Sequence, residues 1–252
     1  MIYLKSPEEV NKIRQSCRIV AMLLAEVEPL IRPGISTWEI NEFAEKFIRE
    51  QGAYPSFKGY RVPGLPPYPD ALCISINDEI VHGIPSKEKI LQEGDIVSID
   101  AGAYLNGYHG DGAKTYAVGK VSEIAQRLLD VTKGALAAGI EKALAGNRVG
   151  DISHAIETYV RSKGFYPADD LTGHGIGRDL HEAPQVPNIG SAGKGPRLQK
   201  GMTIAIEPMV NVGTNCVKEQ GWEFRTADNS LSAHFEHTIL ITEGQPEILT
   251  SL

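Results

Sequence analysis

The pattern of hydrophobic and polar positions predicts helices followed by strands along the whole chain. The first helix begins after the capping residue Ser6 and keeps its apolar positions at helical spacing to about Ile31. Shorter apolar or alternating runs, bounded by glycine, proline and asparagine, predict strands. These strands cover residues 73–77, 96–104, 108–118, 203–211 and 235–242.

One stretch of the sequence recurs further along the chain. A second helix starts at a capping box, Ser36 to Glu39, and ends at Gly52. The second half of the chain would have its first helix at 123–145 and its second at 151–163. Around this second helix, six residues recur at a constant distance: Gly34, Ile40, Arg49, Gly52, Tyr54 and Pro55 reappear as Gly146, Ile152, Arg161, Gly164, Tyr166 and Pro167. The repeat predicts a single domain, 1–252, made of two structurally related halves at roughly 1–120 and 121–252.

Asn106-Gly107 between two predicted strands is a strong hairpin signal. With Leu105 to Gly107 as its connection, the hairpin would place Asp100 and Asp111 about opposite each other on adjacent antiparallel strands. We therefore expect an α+β fold in which a curved antiparallel sheet carries helices on its outer face and acids on its concave face. Two stretches rich in glycine, proline or basic residues, 61–70 and 190–201, are expected to be surface loops.

Composition places the chain among ordinary globular proteins. Of its 252 residues 42% are hydrophobic and 23% are charged, and the formal net charge is −7. A negative charge argues against a dedicated nucleic-acid-binding module, which usually has a basic face. Three cysteines without a CxxC pair suit a reducing compartment, and no segment reads as a signal peptide or a membrane span. We expect a soluble, cytoplasmic monomer.

Five residues spread along the chain have the chemistry of a metal-ligand set. They end or interrupt apolar and glycine-rich runs, where an unpaired buried carboxylate would cost several kcal/mol. Four carboxylates and one imidazole suit two divalent cations, because a carboxylate can bridge two ions. The five are Asp100, Asp111, His174, Glu207 and Glu236.

Two further histidines, His82 and His181, offer acid–base chemistry beside such a site. An imidazole there could orient a substrate amide or stabilise an oxyanion. Other catalytic patterns are missing from the sequence. The glycines at 173, 175 and 177 have neither the Walker nor the dinucleotide spacing, and no GxSxG nucleophile motif occurs.

Short motifs surround these residues: Val81-His82-Gly83-Ile84-Pro85, Asp100 with Asp111, Gly173-His174-Gly175-Ile176-Gly177-Arg178, His181-Glu182-Ala183-Pro184, Ile206-Glu207-Pro208-Met209, and Ser230-Leu231-Ser232 before Glu236-His237-Thr238. Together they resemble the type I methionine aminopeptidases in their short bacterial form. The resemblance covers essentially the whole chain. It implies the pseudo-two-fold "pita-bread" fold of the creatinase family.

The resemblance also implies an activity, which is removal of the initiator methionine from new polypeptides when the second residue is small. By matching positions, Asp100 and Asp111 would chelate, His174 and Glu207 would hold one ion, and Glu236 would bridge. Glu207 would in addition relay the proton of the attacking water to the leaving amine. The cofactor would be two divalent ions, drawn from Co, Mn, Fe and Zn.

His82 and His181 match the substrate-binding and transition-state histidines of these enzymes. An apolar, aromatic pocket is expected for the methionine side chain, because a thioether packs well against rings. Two features depart from the family pattern: Leu180 replaces a residue that is commonly aromatic, and the loop at 61–70 is longer. Candidates for the pocket are Tyr60, Tyr68, Cys73 and Trp222.

The implied partners are nascent polypeptide N-termini, met at the ribosome, with no membrane and no nucleic-acid-binding module. Two alternatives remain. One is a proline-specific (Xaa-Pro) peptidase of the same fold, although those enzymes carry an N-terminal domain that this chain is not expected to have. The other is a non-catalytic binding protein on the same scaffold, although such proteins lose metal ligands that are all present here.

Overall fold

The computed structural model describes residues 1–252. Its α-helices are α1 (Pro7–Val27), α2 (Thr37–Glu50), α3 (Glu123–Ile140) and α4 (Val149–Ser162), with a short 3₁₀ helix at Glu28–Leu30. Its strands are β1 (Tyr54–Pro55), β2 (Leu72–Ile76), β3 (Glu79–Val81), β4 (Ile96–Leu105), β5 (Tyr108–Ala117), β6 (Tyr166–Pro167), β7 (Thr172–Gly175), β8 (Glu182–Pro187), β9 (Thr203–Ile206), β10 (Met209–Asn211), β11 (Val217–Gln220), β12 (Glu223–Thr226), β13 (Ser232–His234), β14 (His237–Leu240) and β15 (Glu247–Ile248). None of the helices combines the length and apolar character needed to cross a membrane.

The predicted capping boxes are present at the starts of α1 and α2. At α1 the Ser6 hydroxyl accepts from the Glu9 amide at 3.3 Å, and the Glu9 carboxylate accepts from the Ser6 amide at 2.9 Å. The predicted end at about Ile31 was wrong, because Pro29 cannot donate to the preceding turn and the chain tightens into the 3₁₀ helix. The predicted extension of α3 to 145 was also wrong: beyond Glu141 the α-helical bonding ends, and the Lys142 and Ala143 amides donate to carbonyls three residues back.

The β4–β5 hairpin closes with a two-residue turn, and this changes the predicted register. Asn106 and Gly107 both have positive φ, 54° and 86°, as a type I′ turn requires. Leu105 then faces Tyr108, and every pair further along the ladder is set by that start. Asp100 faces Ala113 and Asp111 faces Gly102. The two acids are therefore not opposite each other, as predicted, but two positions apart on the same face of the ladder.

Helices α2 and α4 occupy matching positions of the sequence repeat. The bounds of α4, Val149–Ser162, are those of α2, Thr37–Glu50, each moved by the same distance along the chain as Gly34 to Gly146. Each helix leads into a two-residue Tyr-Pro strand, and these strands pair with β4 and β10 respectively. The match agrees with two related halves, and the division at about 120 stays a prediction.

Each helix pair packs on its own group of strands. One apolar core joins α1 and α2 to β2 and β4, and the other joins α3 and α4 to β9 and β14. All strand pairs in the four sheets are antiparallel. The halves meet where the Glu236 amide donates to the Ala113 carbonyl at 2.9 Å. Each helix pair therefore covers one face of its strands. Glu236 lies where the two halves of the chain meet.

The β5 strand approaches α1 very closely at Gly110. A β-carbon added to Gly110 would lie 2.4 Å from the backbone nitrogen of Cys17 in α1. In the same region the Ser16 hydroxyl donates to the Tyr108 carbonyl at 2.9 Å. Glycine at this position lets the helix lie directly on the hairpin that carries Asp111.

Candidate metal centre and substrate cavity

Asp100 and Asp111 reach the cavity from the β4–β5 ladder. Asp111 is buried and only 3% exposed, whereas Asp100 is half-buried and follows the buried residue Ile99. Strand β2 adds Cys73 directly opposite Asp100. The hairpin thus gives two carboxylates on one face, with a thiol beside one of them.

Glu207 and Glu236 occupy two breaks between strands. We predicted continuous strands at 203–211 and 235–242, and both predictions were wrong at the acids. Glu207 and Pro208 separate β9 from β10, since Pro208 has no amide to donate to a ladder. Phe235 and Glu236 separate β13 from β14. Because the backbone leaves the strand at both points, the two acidic side chains do not have to follow the alternation of side chains along a strand.

His174 in β7 presents one defined nitrogen to the acids. Its Nδ1 lies 2.9 Å from the Gly175 carbonyl, and a carbonyl can only accept, so Nδ1 carries the proton. The unprotonated Nε2 then lies 3.5 Å from Glu207 Oε1 and 3.7 Å from Asp111 Oδ2. Ligand atoms of Asp111, His174 and Glu236 all lie within 4.8 Å of one another. This is the spacing of groups that share a cation.

All eleven residues that the sequence analysis singled out line one cavity of about 260 Å³. They are Asp100, Asp111, His174, Glu207, Glu236, His82, His181, Tyr60, Tyr68, Cys73 and Trp222. The lining contains no lysine or arginine to balance its four carboxylates. Asp100 Oδ1 and Glu236 Oε1 are buried without a hydrogen-bond partner. Buried acids in such surroundings fit divalent cations, which neutralise them and occupy the free oxygens.

Burial has the largest effect on the ionisation of these groups. It raises the pKa of Asp100 to about 7 and that of Glu207 to about 8. It also raises the pKa of Asp111 and of Glu236 well above the ordinary range, and the surrounding carboxylates raise both further. Burial lowers the pKa of His174 to about 3, which keeps the imidazole neutral. The acids would hold protons near neutral pH unless a cation displaced them.

His82 and His181 lie on the cavity wall beside the acids. His82 is the residue after β3, and burial lowers its pKa to about 4. The rings of His181 and His174 pack edge to face, with centroids 4.3 Å apart. The Tyr60 hydroxyl lies 2.5 Å from His181 Nδ1. Both histidines are therefore placed to contact a molecule held at the acids.

His234 is a cavity residue that the sequence analysis missed as a candidate. Its Nε2 lies 3.5 Å from Glu207 Oε2 and has no hydrogen-bond partner, although the side chain is buried. The signal that could have found it is strand periodicity, because residues two apart on an extended chain share a face. His234 precedes Glu236 by two positions.

The remaining wall is apolar and includes the four predicted pocket residues. Tyr68 and Trp222 pack edge to face at 5.4 Å, and Trp222 Nε1 donates to the Pro66 carbonyl at 3.0 Å. The expected surface loop at 61–70 is exposed at its tip, but Tyr68 and Asp70 are buried, so that prediction was wrong for these two. Sequence analysis missed further apolar lining residues: Phe57, Val62, Val81, Leu171 and Met209.

Comparisons with known proteins agree with this arrangement. Residues 11–243 match the model of metallopeptidase family M24. Methionine aminopeptidase 1 of Bacillus subtilis (strain 168) is 50% identical over 252 residues, which cover 99% of each chain. The crystal structure of methionine aminopeptidase from Thermotoga maritima superimposes with a TM-score of 0.96 at 47% identity and covers all of both chains. Prolidase from Pyrococcus furiosus shares the fold, with a TM-score of 0.80 at 24% identity, and this chain spans 65% of it. The protein therefore belongs to metallopeptidase family M24 and, within it, to the type I methionine aminopeptidases of bacterial form.

Proposed function

We propose that this protein is a metal-dependent aminopeptidase that removes the N-terminal methionine of polypeptides whose second residue is small. One observation carries the proposal: a cluster of four buried carboxylates and a neutral histidine shares a cavity with an apolar, aromatic pocket. The first part can hold cations, and the second can hold an unbranched thioether side chain. The full-length similarity to methionine aminopeptidases supports the same activity.

Two divalent ions, from among Co, Mn, Fe and Zn, would be held by the five residues Asp100, Asp111, His174, Glu207 and Glu236. The free oxygens of Asp100 and Glu236 support this assignment, as does the unprotonated Nε2 of His174. Bound divalent ions supply Lewis acidity toward a carbonyl oxygen and toward water. The ligand set itself does not select one of these metals.

The protein's own groups bind the peptide and move the protons. Glu207 lies between His174 and His234 and would accept a proton from water and deliver it to the leaving amine. His181 has its Nδ1 engaged by Tyr60, which leaves Nε2 for the substrate. His82 stands between Trp222 and Phe224, where its ring would contact the peptide backbone. The methionine side chain would pack against Tyr68, Cys73 and Trp222.

The substrates would be the N-termini of nascent chains, met at the ribosome in the cytoplasm by a monomer of this protein. The lack of lysine and arginine in the cavity lining favours neutral or cationic peptide ends over acidic ones.

Cleavage of three peptides by metal-loaded protein tests the proposal. We expect free methionine from Met-Ala-Ser, little from Met-Leu-Ser, and no cleavage of Ala-Pro-Ala. Faster cleavage of Ala-Pro-Ala would favour the proline-specific alternative. If the metal-loaded protein cleaves none of the three, the binding-protein alternative becomes the better account.

A further inference from the structure

Five charged residues form a cluster at strands β3 and β12, the two strands next to His82. None of them lines the cavity. Three are acids and two are bases, so the cluster is not electrically balanced, and the Glu79 side chain within it is only 4% exposed. The five are Asp78, Glu79, Lys89, Glu223 and Arg225.

Glu223 is held from two sides within this charged cluster. Lys89 Nζ lies 2.6 Å from Glu223 Oε1 and 2.7 Å from Glu79 Oε1. Arg225 Nη2 lies 3.1 Å from Glu223 Oε2 and also contacts Glu79, while its Nη1 reaches Asp78. Hydrogen bonds in which both groups are charged are the strong ones, and these are partly shielded from water. The Glu223 carboxylate therefore has one defined position.

The same carboxylate is connected to the backbone that follows His82. Glu223 Oε1 accepts from the Ile84 amide at 3.4 Å. Strand β12, which starts at Glu223, pairs with β3, which ends just before His82, and Phe224 faces Val81. A shift of Glu223 would therefore move both the strand and the loop that define the position of His82.

Side chains alternate between the two faces of strand β12, so Glu223 lies on one face and its neighbours Trp222 and Phe224 lie on the other. The rings of Trp222 and Phe224 pack edge to face against the His82 ring, at 6.4 Å and 5.5 Å between centroids. Glu223 and Arg225 point the other way, into the charged cluster. Fixing the acid on one face therefore fixes the two rings that hold His82 on the other.

The backbone of His82 needs this support because it is strained. Its φ is +59°, in the left-handed region that residues with a side chain rarely adopt. Such a conformation persists when the surrounding structure determines it. The next residue is held tightly: a β-carbon on Gly83 would lie 2.2 Å from the Ile74 carbonyl oxygen, and the Gly83 amide donates to the Ser75 hydroxyl at 3.1 Å.

We propose that Glu223, held by Lys89 and Arg225, is a positioning residue for His82. Glu223 acts through the Ile84 amide and through the flanking rings, and it does not touch the substrate. The inference rests on the proposed function, in which His82 contacts the peptide. Glu223, which does not line the cavity, would then determine the position from which His82 contacts the peptide.

A double-mutant cycle on the metal-loaded protein tests this role. Glu223→Ala should lower kcat for Met-Ala-Ser roughly tenfold, a fraction of the roughly 10²–10⁴-fold that a positioned acid–base group contributes, with little change in KM or metal content. In a His82→Ala background the same substitution should change kcat less than about twofold, because residues coupled through one network of contacts do not act additively. Glu223→Gln keeps an acceptor for the Ile84 amide and should recover part of the loss.

Glu219→Ala is the matched control, since it removes an exposed acid from the adjacent strand β11 of the same hairpin. It should leave kcat unchanged. An unchanged kcat in Glu223→Ala, or an equal loss with and without His82, would overturn the proposal. If the alanine variant does not fold, Glu223→Gln takes its place in the cycle, with a smaller loss expected in the same direction.

A second readout separates this inference from the proposed function. In protein loaded with diamagnetic Zn²⁺, the His82 ring resonance, assigned with His82→Gln, should shift or broaden in Glu223→Ala and stay in place in Glu219→Ala. A shift together with no methionine release by the wild type would mean that the positioning is correct and the activity is wrong. An unmoved resonance would contradict the positioning whatever the activity.

Discussion

The Tyr60 hydroxyl lies 2.5 Å from Nδ1 of His181, and it leaves Nε2 as the only ring nitrogen free for a substrate. The two rings pack edge to face with centroids 5.0 Å apart, so Tyr60 also restricts rotation of the imidazole. His181 is in turn packed against His174. One phenol therefore links the apolar wall to the metal-ligand cluster.

Tyr60→Phe should lower kcat roughly tenfold, within the range assigned to a positioned acid–base group, and should leave metal content unchanged. The substitution keeps the ring and removes only the hydroxyl that orients His181. Initial rates with Met-Ala-Ser, together with metal analysis, measure the effect. Tyr54→Phe is the control, because Tyr54 is 62% exposed and does not line the cavity. Equal rates for wild type and Tyr60→Phe would mean that the hydroxyl does not position His181.

Glu207→Ala and His181→Ala should fail in different ways. Glu207→Ala should abolish turnover and reduce bound metal, because it removes a ligand and the proton carrier together. His181→Ala should lower kcat by roughly 10²–10⁴-fold with metal content intact, the usual size for an acid–base or oxyanion group. Elemental analysis of both purified variants, beside their rates, makes the comparison. Loss of metal from His181→Ala would show that His181 belongs to the metal site.

Metal affinity should rise with pH through the neutral range. The ordinary pKa values of Asp100 and Glu207, 3.8 and 4.5, are raised on folding to about 7 and about 8. The metal-free folded chain then holds more protons than the unfolded chain from about pH 4 to 8, so its stability should fall as pH rises through that window. Metal binding must release these protons, while His174, with its pKa lowered to about 3, contributes none.

Calorimetric titration of metal-free protein with Mn²⁺ in buffers of different ionisation enthalpy measures this proton release. We expect protons to be released at pH 6.5 and tighter binding at pH 8 than at pH 6. Binding that is independent of pH, without proton release, would contradict the raised pKa values of the acids.

Gly110→Ala should destabilise the protein by about 1–3 kcal/mol, the usual cost of overpacking. The added methyl group would meet the backbone of α1 at Cys17, which cannot move aside as a flexible side chain can. Chemical denaturation measures the change in the free energy of unfolding. Gly244→Ala is the control, because a β-carbon there meets nothing closer than 4.0 Å. A similar stability for the two variants would mean that α1 adjusts freely to the hairpin.

Local chemistry made much of the fold predictable from the sequence. The capping boxes at Ser6 and Ser36 give the two helix starts, and Asn106-Gly107 gives the β4–β5 turn. The α+β pita-bread fold was identified by resemblance, and the structural matches confirm it. The register of Asp111 was not predicted correctly, because it depends on whether the turn has two or three residues, and one residue of difference moves the whole ladder.

Tertiary contacts decided what the sequence could not. The pattern around Glu207 and Glu236 predicts continuous strands, whereas the structure breaks both at the acids. The spacing of His234 from Glu236 points to a shared face, but its contact with Glu207, which is distant in sequence, is seen only in the fold. The charged cluster at Glu223 combines positions distant in sequence, and no local pattern predicts that Lys89 and Arg225 meet there.

Metal-dependent release of free methionine tests the central claim most directly. The protein is stripped of metal, assayed with Met-Ala-Ser, and assayed again after addition of Mn²⁺ or Co²⁺, beside an Asp111→Asn variant that keeps the shape of the ligand and removes its charge. We expect no methionine from the stripped protein, release on metal addition, and a severe loss in the variant. Undiminished release by the stripped protein, or equal release by the variant, would contradict the assignment of the buried carboxylates to a catalytic metal centre.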